Sequence, residues 1–177
     1  YNFDLISPPL SYGVAKPDEA SFVPLDFTEK MTLREILDKH PKGLEYGHIV
    51  REHVVWPLLS DSKGNVLSFP PIINSNDLGR ITEHTKNVLI EVTGTSYDTV
   101  LNCLNMVAVS LADRGGKICS AEIHYPYVSQ KKVITPQLET RTTQIDLEGI
   151  CKLLGFRLTR DKLLQLLEKA RYGVSRV

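Results

Sequence analysis

The clearest local pattern in the sequence is the alternation of apolar and polar residues in the stretch NVLIEVT, residues 87–93. The three aliphatic residues at alternate positions would lie on one face of a strand, with Glu91 and Thr93 on the other. At roughly 3.4 Å per residue, these two polar side chains would be about 7 Å apart. The pattern predicts a β-strand with a polar face. That face is either exposed to solvent or is a pocket wall that offers a carboxylate beside a hydroxyl.

A second β pattern precedes it. The runs VVWPLL (54–59) and VLSF (66–69) flank SDSKGN, a turn-forming segment that contains glycine and asparagine. Two β-rich runs around such a turn predict an antiparallel hairpin, and we place residues 87–93 in the same sheet system. The prolines of PPIINS predict extended backbone directly after the hairpin.

Helical signals occur in both halves of the chain. Thr32 followed by Glu35 is a capping box that opens a helix over TLREILDKH, and HPKG (40–43) is predicted to end it. LEYGHIVRE predicts a further short helix. A long helix over about 96–113 is predicted from its apolar stripe, and two glycines end it. That stripe comprises Val100, Leu104, Val107 and Leu111, widened by Leu101, Ala108 and Ala112.

The last part of the chain has shorter elements. KICSAEIHYPYV (117–128) and RTTQI (141–145) predict strands. Asp146 is predicted to cap LEGICKLL, which ends at Gly155, and Thr159 is predicted to cap RDKLLQLLEKARY, which ends at Gly173. Two short helices joined by a tight turn beside a strand are typical of the opening of a winged-helix module. We expect its core to consist of Leu153, Leu154, Leu163 and Leu167.

Composition and charge narrow the classes of protein. The chain is 42% hydrophobic and 24% charged, as globular proteins are, and no apolar run approaches the roughly 20 residues that cross a bilayer. Three scattered cysteines without a CxxC motif favour reduced thiols in an intracellular protein, and no metal-ligand spacing predicts a metal site. The chain begins at Tyr1 without methionine, so we expect it to be part of a longer protein.

The charge is unevenly distributed although the total is zero. Residues 1–130 hold 11 Lys and Arg against 16 Asp and Glu, and residues 131–177 hold 10 against 5. The switch from acidic to basic predicts a domain boundary near Lys131, Lys132 and Pro136. The acidic first part argues against broad nucleic-acid binding by that part alone, because phosphate contacts require basic residues.

Three consecutive motifs carry a family resemblance: HPKGLEYGHIV, VVWPLLSDSKGNVLSFPPIINS and TKNVLIEVTGT. They resemble the editing domain in the beta subunit of phenylalanyl-tRNA synthetase of the archaeal and eukaryotic type. From about TPQLETR onward the chain resembles the winged-helix-like domain that follows it. The resemblance implies an α+β fold with layered mixed sheets and outer helices in an editing domain, residues 1–135. The start of a small winged-helix-like module would occupy residues 136–177.

The resemblance also implies an activity and its residues. The family's editing domain hydrolyses the ester bond that joins tyrosine to the 3′ end of tRNA(Phe). The residues of its pocket correspond to Leu59, Ser68, Glu91 and Thr93. Ser68, Glu91 and Thr93 are the candidate catalytic residues, and all four are candidate substrate-binding residues. Glu91 replaces an aspartate found in many archaeal members. We leave open whether it acts as a general base or binds the substrate's amino group or phenol.

The parent enzyme of this family is a cytoplasmic heterotetramer of two alpha and two beta chains. It uses ATP and magnesium, for neither of which the present sequence suggests a site. Two other functions stay open: a non-catalytic module that binds aminoacyl-tRNA or scaffolds the subunits, and a stand-alone editing protein. The winged-helix-like tail argues against the stand-alone protein, because it follows the domain order of the synthetase.

Overall fold

The computed structural model describes residues 1–127 and 132–174, which form two compact units, 1–137 and 138–177. The division falls two residues after the expected end of the first domain. Lys131 of the predicted charge boundary and Val128 of the predicted strand lie outside the described residues. Helices and several antiparallel sheets occur together, so the predicted α+β class is confirmed.

The described part of the first unit contains groups of short strands separated by pairs of α-helices. The strands are β1 (Ser11–Ala15), β2 (Ser21–Phe22), β3 (Met31–Thr32), β4 (Trp56–Ser60), β5 (Val66–Phe69), β6 (Ile73–Asn74), β7 (Ala121–His124) and β8 (Lys132–Thr135). The helices are α1 (Leu33–Lys39), α2 (Pro41–Tyr46), α3 (Asn76–Gly79) and α4 (Tyr97–Ala112), with 3-10 turns at Phe3–Leu5 and Gly47–Ile49.

The main sheet is antiparallel and has the strand order β1-β4-β5-β6. Strands β4 and β5 form the predicted hairpin, in which Leu59 lies opposite Ser68, and a bulge follows at Ser60. The hairpin prediction is therefore confirmed, although β4 begins at Trp56 rather than at residue 54.

The segment after the hairpin differs from its prediction. Pro70, Pro71 and Ile72 form a turn in which the Ile72 amide donates to the Phe69 carbonyl at 2.7 Å. The chain therefore folds back as β6, which pairs with β5 and brings Asn74 opposite Ser68. Proline restricts local backbone angles, but it does not prevent a reversal of the chain between two strands.

Residues 87–93 do not form the predicted strand of this sheet. Their backbone pairs with the first residues of the chain through one isolated antiparallel bridge, between Asn2 and Val88. Hydrogen bonds on either side of the bridge join Tyr1 to Leu89 and Phe3 to Asn87. Alternation describes a polar and an apolar face, but it does not supply a partner strand along the whole run.

The capping box of α1 is present as predicted, with reciprocal contacts between Thr32 and Glu35. HPKG ends α1 but also begins the next helix. His40 is both the C-cap of α1 and the N-cap of α2. Pro41 occupies the first position of α2, where a backbone N–H would have no partner within the helix. The predicted helix over LEYGHIVRE consequently begins earlier and continues as a 3-10 turn.

Two groups of buried side chains stabilise the first unit. The larger group packs α1 against the sheet and includes Trp56 stacked on Phe69, with ring centroids 5.6 Å apart. The smaller group surrounds the ring of Tyr1 and holds it on the sheet. Its buried members are Tyr1, Ile6, Leu59, Leu67 and Leu78.

The long helix α4 is present, but its predicted apolar stripe is not buried as a whole. Ala108 is buried, whereas Val107 and Leu111 are exposed by 44% and 42%. Strand β7 is shorter than predicted and pairs with β8.

In the second unit, the two predicted helices are α5 (Leu147–Leu154) and α6 (Arg160–Lys169), capped by Asp146 and Thr159. Gly155 ends α5 in the left-handed conformation with φ 77°. Helix α6 ends three residues before its predicted end, where Arg171 adopts φ 65°.

Two expectations for this unit were wrong. Leu153 and Leu154 are exposed by 88% and 48%, because no described neighbour covers this end of α5, whereas Ile150 and Cys151 are half-buried. Leu163 and Leu167 of the predicted core are half-buried. Residues 141–145 form no strand, since a strand requires a backbone partner and the described residues pair none with them.

Candidate functional site

Three of the four predicted site residues come together. Ser68, Glu91 and Thr93 line one cavity of about 340 Å³ beside the turn between β5 and β6. Strand β5 positions Ser68, which is buried, and the irregular segment after Leu89 carries the other two. The remaining lining residues are Leu25, Lys42, Tyr46, Phe69, Pro70, Pro71, Ile72, Ile73 and Asn74.

Leu59 lies beside the cavity and not on its wall. It is opposite Ser68 in the β4–β5 pair and is only 5% exposed, in the group of side chains that packs around Tyr1. Its position makes it a support for the ring of Tyr1.

The phenol of Tyr1 connects the polar groups of the site. Its oxygen is 3.0 Å from Ser68 Oγ, 3.0 Å from Glu91 Oε2 and 3.3 Å from Asn74 Oδ1. A phenol has one proton to donate, and the carboxylate is the strongest acceptor of the three. We therefore assign the Tyr1 hydroxyl as donor to Glu91, with the Ser68 hydroxyl able to donate to the phenol oxygen.

Burial is the main influence on the pKa values of both the Glu91 carboxyl and the Tyr1 phenol. It raises the pKa of the Glu91 carboxyl, an effect opposed by the hydrogen bond from Tyr1. It also raises the pKa of the Tyr1 phenol well above its ordinary value, so the phenol keeps its proton at neutral pH. The second carboxylate oxygen, Glu91 Oε1, is buried and has no hydrogen-bond partner in the described residues. It is an acceptor available to a ligand.

Two residues of this site were missed by sequence reasoning: Tyr1 and Asn74. Tyr1 belongs to a proline-rich segment without periodicity, and it is 90 positions from Glu91 along the chain. Asn74 was missed because the backbone of PPIINS was predicted to be extended. A prediction that the two prolines form a turn would have brought Asn74 next to Ser68.

The arrangement suits recognition of a hydroxyl group inside a mostly apolar wall. Ser68, Asn74 and Glu91 place oxygen atoms around the phenol of Tyr1, so this part of the site already holds one hydroxyl group by hydrogen bonds. Ser68 is hydrogen-bonded to Tyr1 and not to a histidine, so its environment does not resemble that of an activated nucleophile. Residues 1–127 and 132–174 contain no group of three or more His, Cys, Asp or Glu side chains placed to hold a metal ion.

Comparison with known proteins gives a consistent set of relatives. No protein-family model matches the chain. The chain is 45% identical over 174 residues to the phenylalanine–tRNA ligase beta subunit of Pyrococcus furiosus, and 46% identical over 174 residues to that of Pyrococcus horikoshii. Each match covers 98% of this chain and 31% of the relative. The chain thus spans about a third of the length of these relatives.

A solved structure agrees with the sequence matches. The crystal structure of an N-terminal fragment of the phenylalanyl-tRNA synthetase beta subunit from Pyrococcus horikoshii superimposes with a TM-score of 0.87 and 46% identity. The match covers 99% of this chain and 50% of that structure. Among the helices of the described residues, none combines the length and apolar character needed to span a membrane.

Proposed function

Because the chain belongs to the phenylalanine–tRNA ligase beta subunit family over about a third of the relatives' length, we propose that it contains an editing site. The proposed reaction is hydrolysis of the ester bond in tRNA(Phe) that carries tyrosine. The site consists of Ser68, Glu91 and Thr93 at the cavity beside the β5–β6 turn, with Leu59 as its apolar support.

The observation that carries the proposal is a free acceptor at the cavity: Glu91 lines it, and the Oε1 atom of its carboxylate has no hydrogen-bond partner in the described residues. Tyrosine differs from phenylalanine only by a phenol hydroxyl, and an apolar synthetic pocket rejects an added hydroxyl by only about 10²-fold. The candidate site has the polar atoms that a second selection requires. Glu91 Oε1 is buried and unpartnered, so a bound phenylalanine would leave it unsatisfied at a cost of roughly 1–3 kcal/mol.

The chemistry requires a water molecule held against the ester carbonyl and some relief of the negative charge on its oxygen. We assign Glu91 to accept a hydrogen bond from the tyrosine phenol through Oε1. Thr93 is exposed at the same cavity, and we assign its hydroxyl to hold the attacking water. Ser68 contacts the same Tyr1 hydroxyl as Glu91, and so supports the end of the site that would bind the phenol.

The relatives extend the proposal to an assembly. In a parent enzyme of this family, the chain would work with an alpha subunit and tRNA(Phe), in a heterotetramer of two alpha and two beta chains in the cytoplasm. ATP and magnesium would serve synthesis elsewhere in that enzyme. Free thiols at all three cysteines fit this compartment.

A single-turnover deacylation assay on preformed Tyr-tRNA(Phe) and Phe-tRNA(Phe) tests the proposal. We expect the chain to accelerate hydrolysis of the tyrosyl ester and to leave the phenylalanyl ester at its spontaneous rate. Ser68→Ala should slow tyrosyl hydrolysis, whereas Ser62→Ala, in the exposed turn before β5, should not.

A second candidate function is a non-catalytic module that binds tRNA or scaffolds the subunits, and the acidic balance of residues 1–130 favours the scaffolding role. Spontaneous hydrolysis rates for both esters, together with retained binding to an alpha subunit, would support that function and contradict editing.

A further inference from the structure

Tyr1 occupies a position at the site that the sequence did not reveal. Its ring packs in the group formed with Ile6, Leu59, Leu67 and Leu78 and is only 9% exposed. Its backbone pairs with Leu89 in both directions: Tyr1 N donates to the Leu89 carbonyl at 2.9 Å, and the Leu89 amide donates to the Tyr1 carbonyl at 3.0 Å. Both the ring and the backbone of Tyr1 are therefore fixed.

Glu91 lacks comparable support of its own. It follows Leu89 by two residues in a segment without regular secondary structure that belongs to no sheet. The position of its carboxylate is thus determined by what the side chain contacts. In the described residues, Glu91 Oε2 contacts the phenol of Tyr1 at 3.0 Å, and Glu91 Oε1 has no partner.

We propose that Tyr1 is a positioning residue for Glu91: its phenol holds Oε2 and leaves Oε1 free to accept a hydrogen bond from the bound aminoacyl group. This inference rests on the proposed editing function for its catalytic consequence. The hydrogen bond also opposes the rise that burial causes in the pKa of Glu91, and so favours the charged carboxylate.

The alternative role for Tyr1 is that of an internal competitor, whose phenol occupies the place of the substrate's phenol. The packing of the ring argues against this role. Displacing the phenol would expose a ring that packs with four other buried side chains and would break the pairing with Leu89.

The test compares Tyr1→Phe with Tyr97→Phe. Tyr1→Phe keeps the buried ring and removes only the hydroxyl, and Tyr97→Phe removes the same hydroxyl from a tyrosine that is 49% exposed on α4. Two readouts are needed: deacylation of Tyr-tRNA(Phe), and titration of the Glu91 carboxyl by carbon-13 NMR. The other titratable groups that face Glu91 or share its cavity are the Tyr1 amino group, Tyr12, Lys42 and Tyr46, and all stay in place.

We expect Tyr1→Phe to raise the pKa of Glu91 and to slow deacylation about tenfold, since a hydrogen bond to a charged group contributes roughly that much. The loss should appear in the rate at saturating tRNA, and Tyr97→Phe should change neither readout. An unchanged Glu91 pKa overturns the inference whatever the rate. An unchanged or faster deacylation in Tyr1→Phe also overturns it, and the faster rate would identify a competitor.

Failure of the proposed function is a separate result. If the unmodified chain hydrolyses neither ester, editing is contradicted, and the NMR titration still decides whether Tyr1 holds the Glu91 carboxylate.

Discussion

Ser68 and Asn74 lie directly opposite each other in the antiparallel pair of β5 and β6. Side chains at opposed positions of such a pair project from the same face of the sheet, and both reach the Tyr1 hydroxyl. The turn at Pro70 and Pro71 creates this opposition, so residues six positions apart in sequence contribute to one side of the cavity.

The first prediction concerns the charge of Glu91. Glu91→Ala should reduce the rate of deacylation of Tyr-tRNA(Phe) by at least tenfold. It removes Oε1, the proposed acceptor for the substrate, and Oε2, which contacts the phenol of Tyr1. Glu91→Gln keeps the size of the side chain and one acceptor oxygen but removes the charge. A single-turnover assay on both variants, with synthesis of Phe-tRNA by the assembled enzyme as the control, separates the possible roles.

Three results are distinguishable for these variants. Activity retained by Gln but not by Ala assigns the contribution to hydrogen bonding, whereas loss in both assigns it to charge or basicity. Parental rates in both would show that Glu91 has no part in the reaction.

The second prediction compares two leucines on neighbouring helices. Leu37 of α1 is fully buried, and Leu44 of α2 is 67% exposed. Leu37→Ala should lower the free energy of unfolding by about 2–5 kcal/mol, because it leaves a cavity in the larger core. Leu44→Ala should change it by less than about 0.5 kcal/mol. Urea denaturation measures both, and equal effects would contradict the described packing of α1.

The third prediction concerns the close approach of α1 and α2. A Cβ at Gly43 would collide with the carbonyl of Ile36 and lie 2.7 Å from the Cα of Leu37. Since these are backbone atoms, relief requires the helices to separate, and Gly43→Ala should cost about 1–3 kcal/mol or more. Gly13→Ala is the control, because its nearest neighbour would be a side-chain oxygen at 4.0 Å. Thermal unfolding that ranks the two variants equally would refute the close approach.

The fourth prediction is a pH dependence from His40. This residue is buried, its Nδ1 accepts a hydrogen bond from the Lys42 amide at 3.1 Å, and burial lowers the pKa of its imidazole. A base whose pKa is lower in the folded state stabilises the fold fully above its unfolded pKa of about 6.5. That stability is lost as the pH falls from there through the folded pKa, with a slope of at most about 1.4 kcal/mol per pH unit.

The control for this pH dependence is a pair of asparagine variants. His40→Asn keeps an acceptor for the cap and cannot be protonated, so its unfolding free energy should lose this slope. His48→Asn, at an exposed position, should retain it. Asp26 and Lys42 act on His40 in opposite directions and are unchanged in both variants. Identical slopes in the two variants would exclude His40 as the source.

Secondary-structure elements whose signals lie within a few residues of each other were predicted correctly, whereas those that depend on distant partners were not. The capping box at Thr32, the β4–β5 hairpin and the caps at Asp146 and Thr159 depend on residues within a few positions of each other, and all are present. The predicted strand at 87–93 was wrong, since its pairing depends on residues at the far end of the unit.

The residues of the site also divide into those that the sequence could identify and those that depend on a long-range contact. Ser68, Glu91 and Thr93 were identified through a family resemblance, and they share a cavity, but their roles stay predictions. Tyr1 could not be predicted, because the only indication of its role is a contact across 90 positions. The prediction that Leu153 and Leu154 belong to a core was wrong for a different reason. Helical periodicity defines an apolar face, but it does not determine whether a neighbouring element covers that face.

The two hydrogen bonds between Tyr1 and Leu89 couple the contact between Tyr1 and Glu91 to local unfolding of the chain. Any fluctuation that opens this short pairing also withdraws the phenol from Glu91, without global unfolding of the unit. The amide of Leu89 exchanges with solvent only during such openings, so its hydrogen-exchange rate measures how often the carboxylate is released. The fraction of time the pairing is closed therefore sets an upper limit on the fraction of molecules whose Glu91 is held in place.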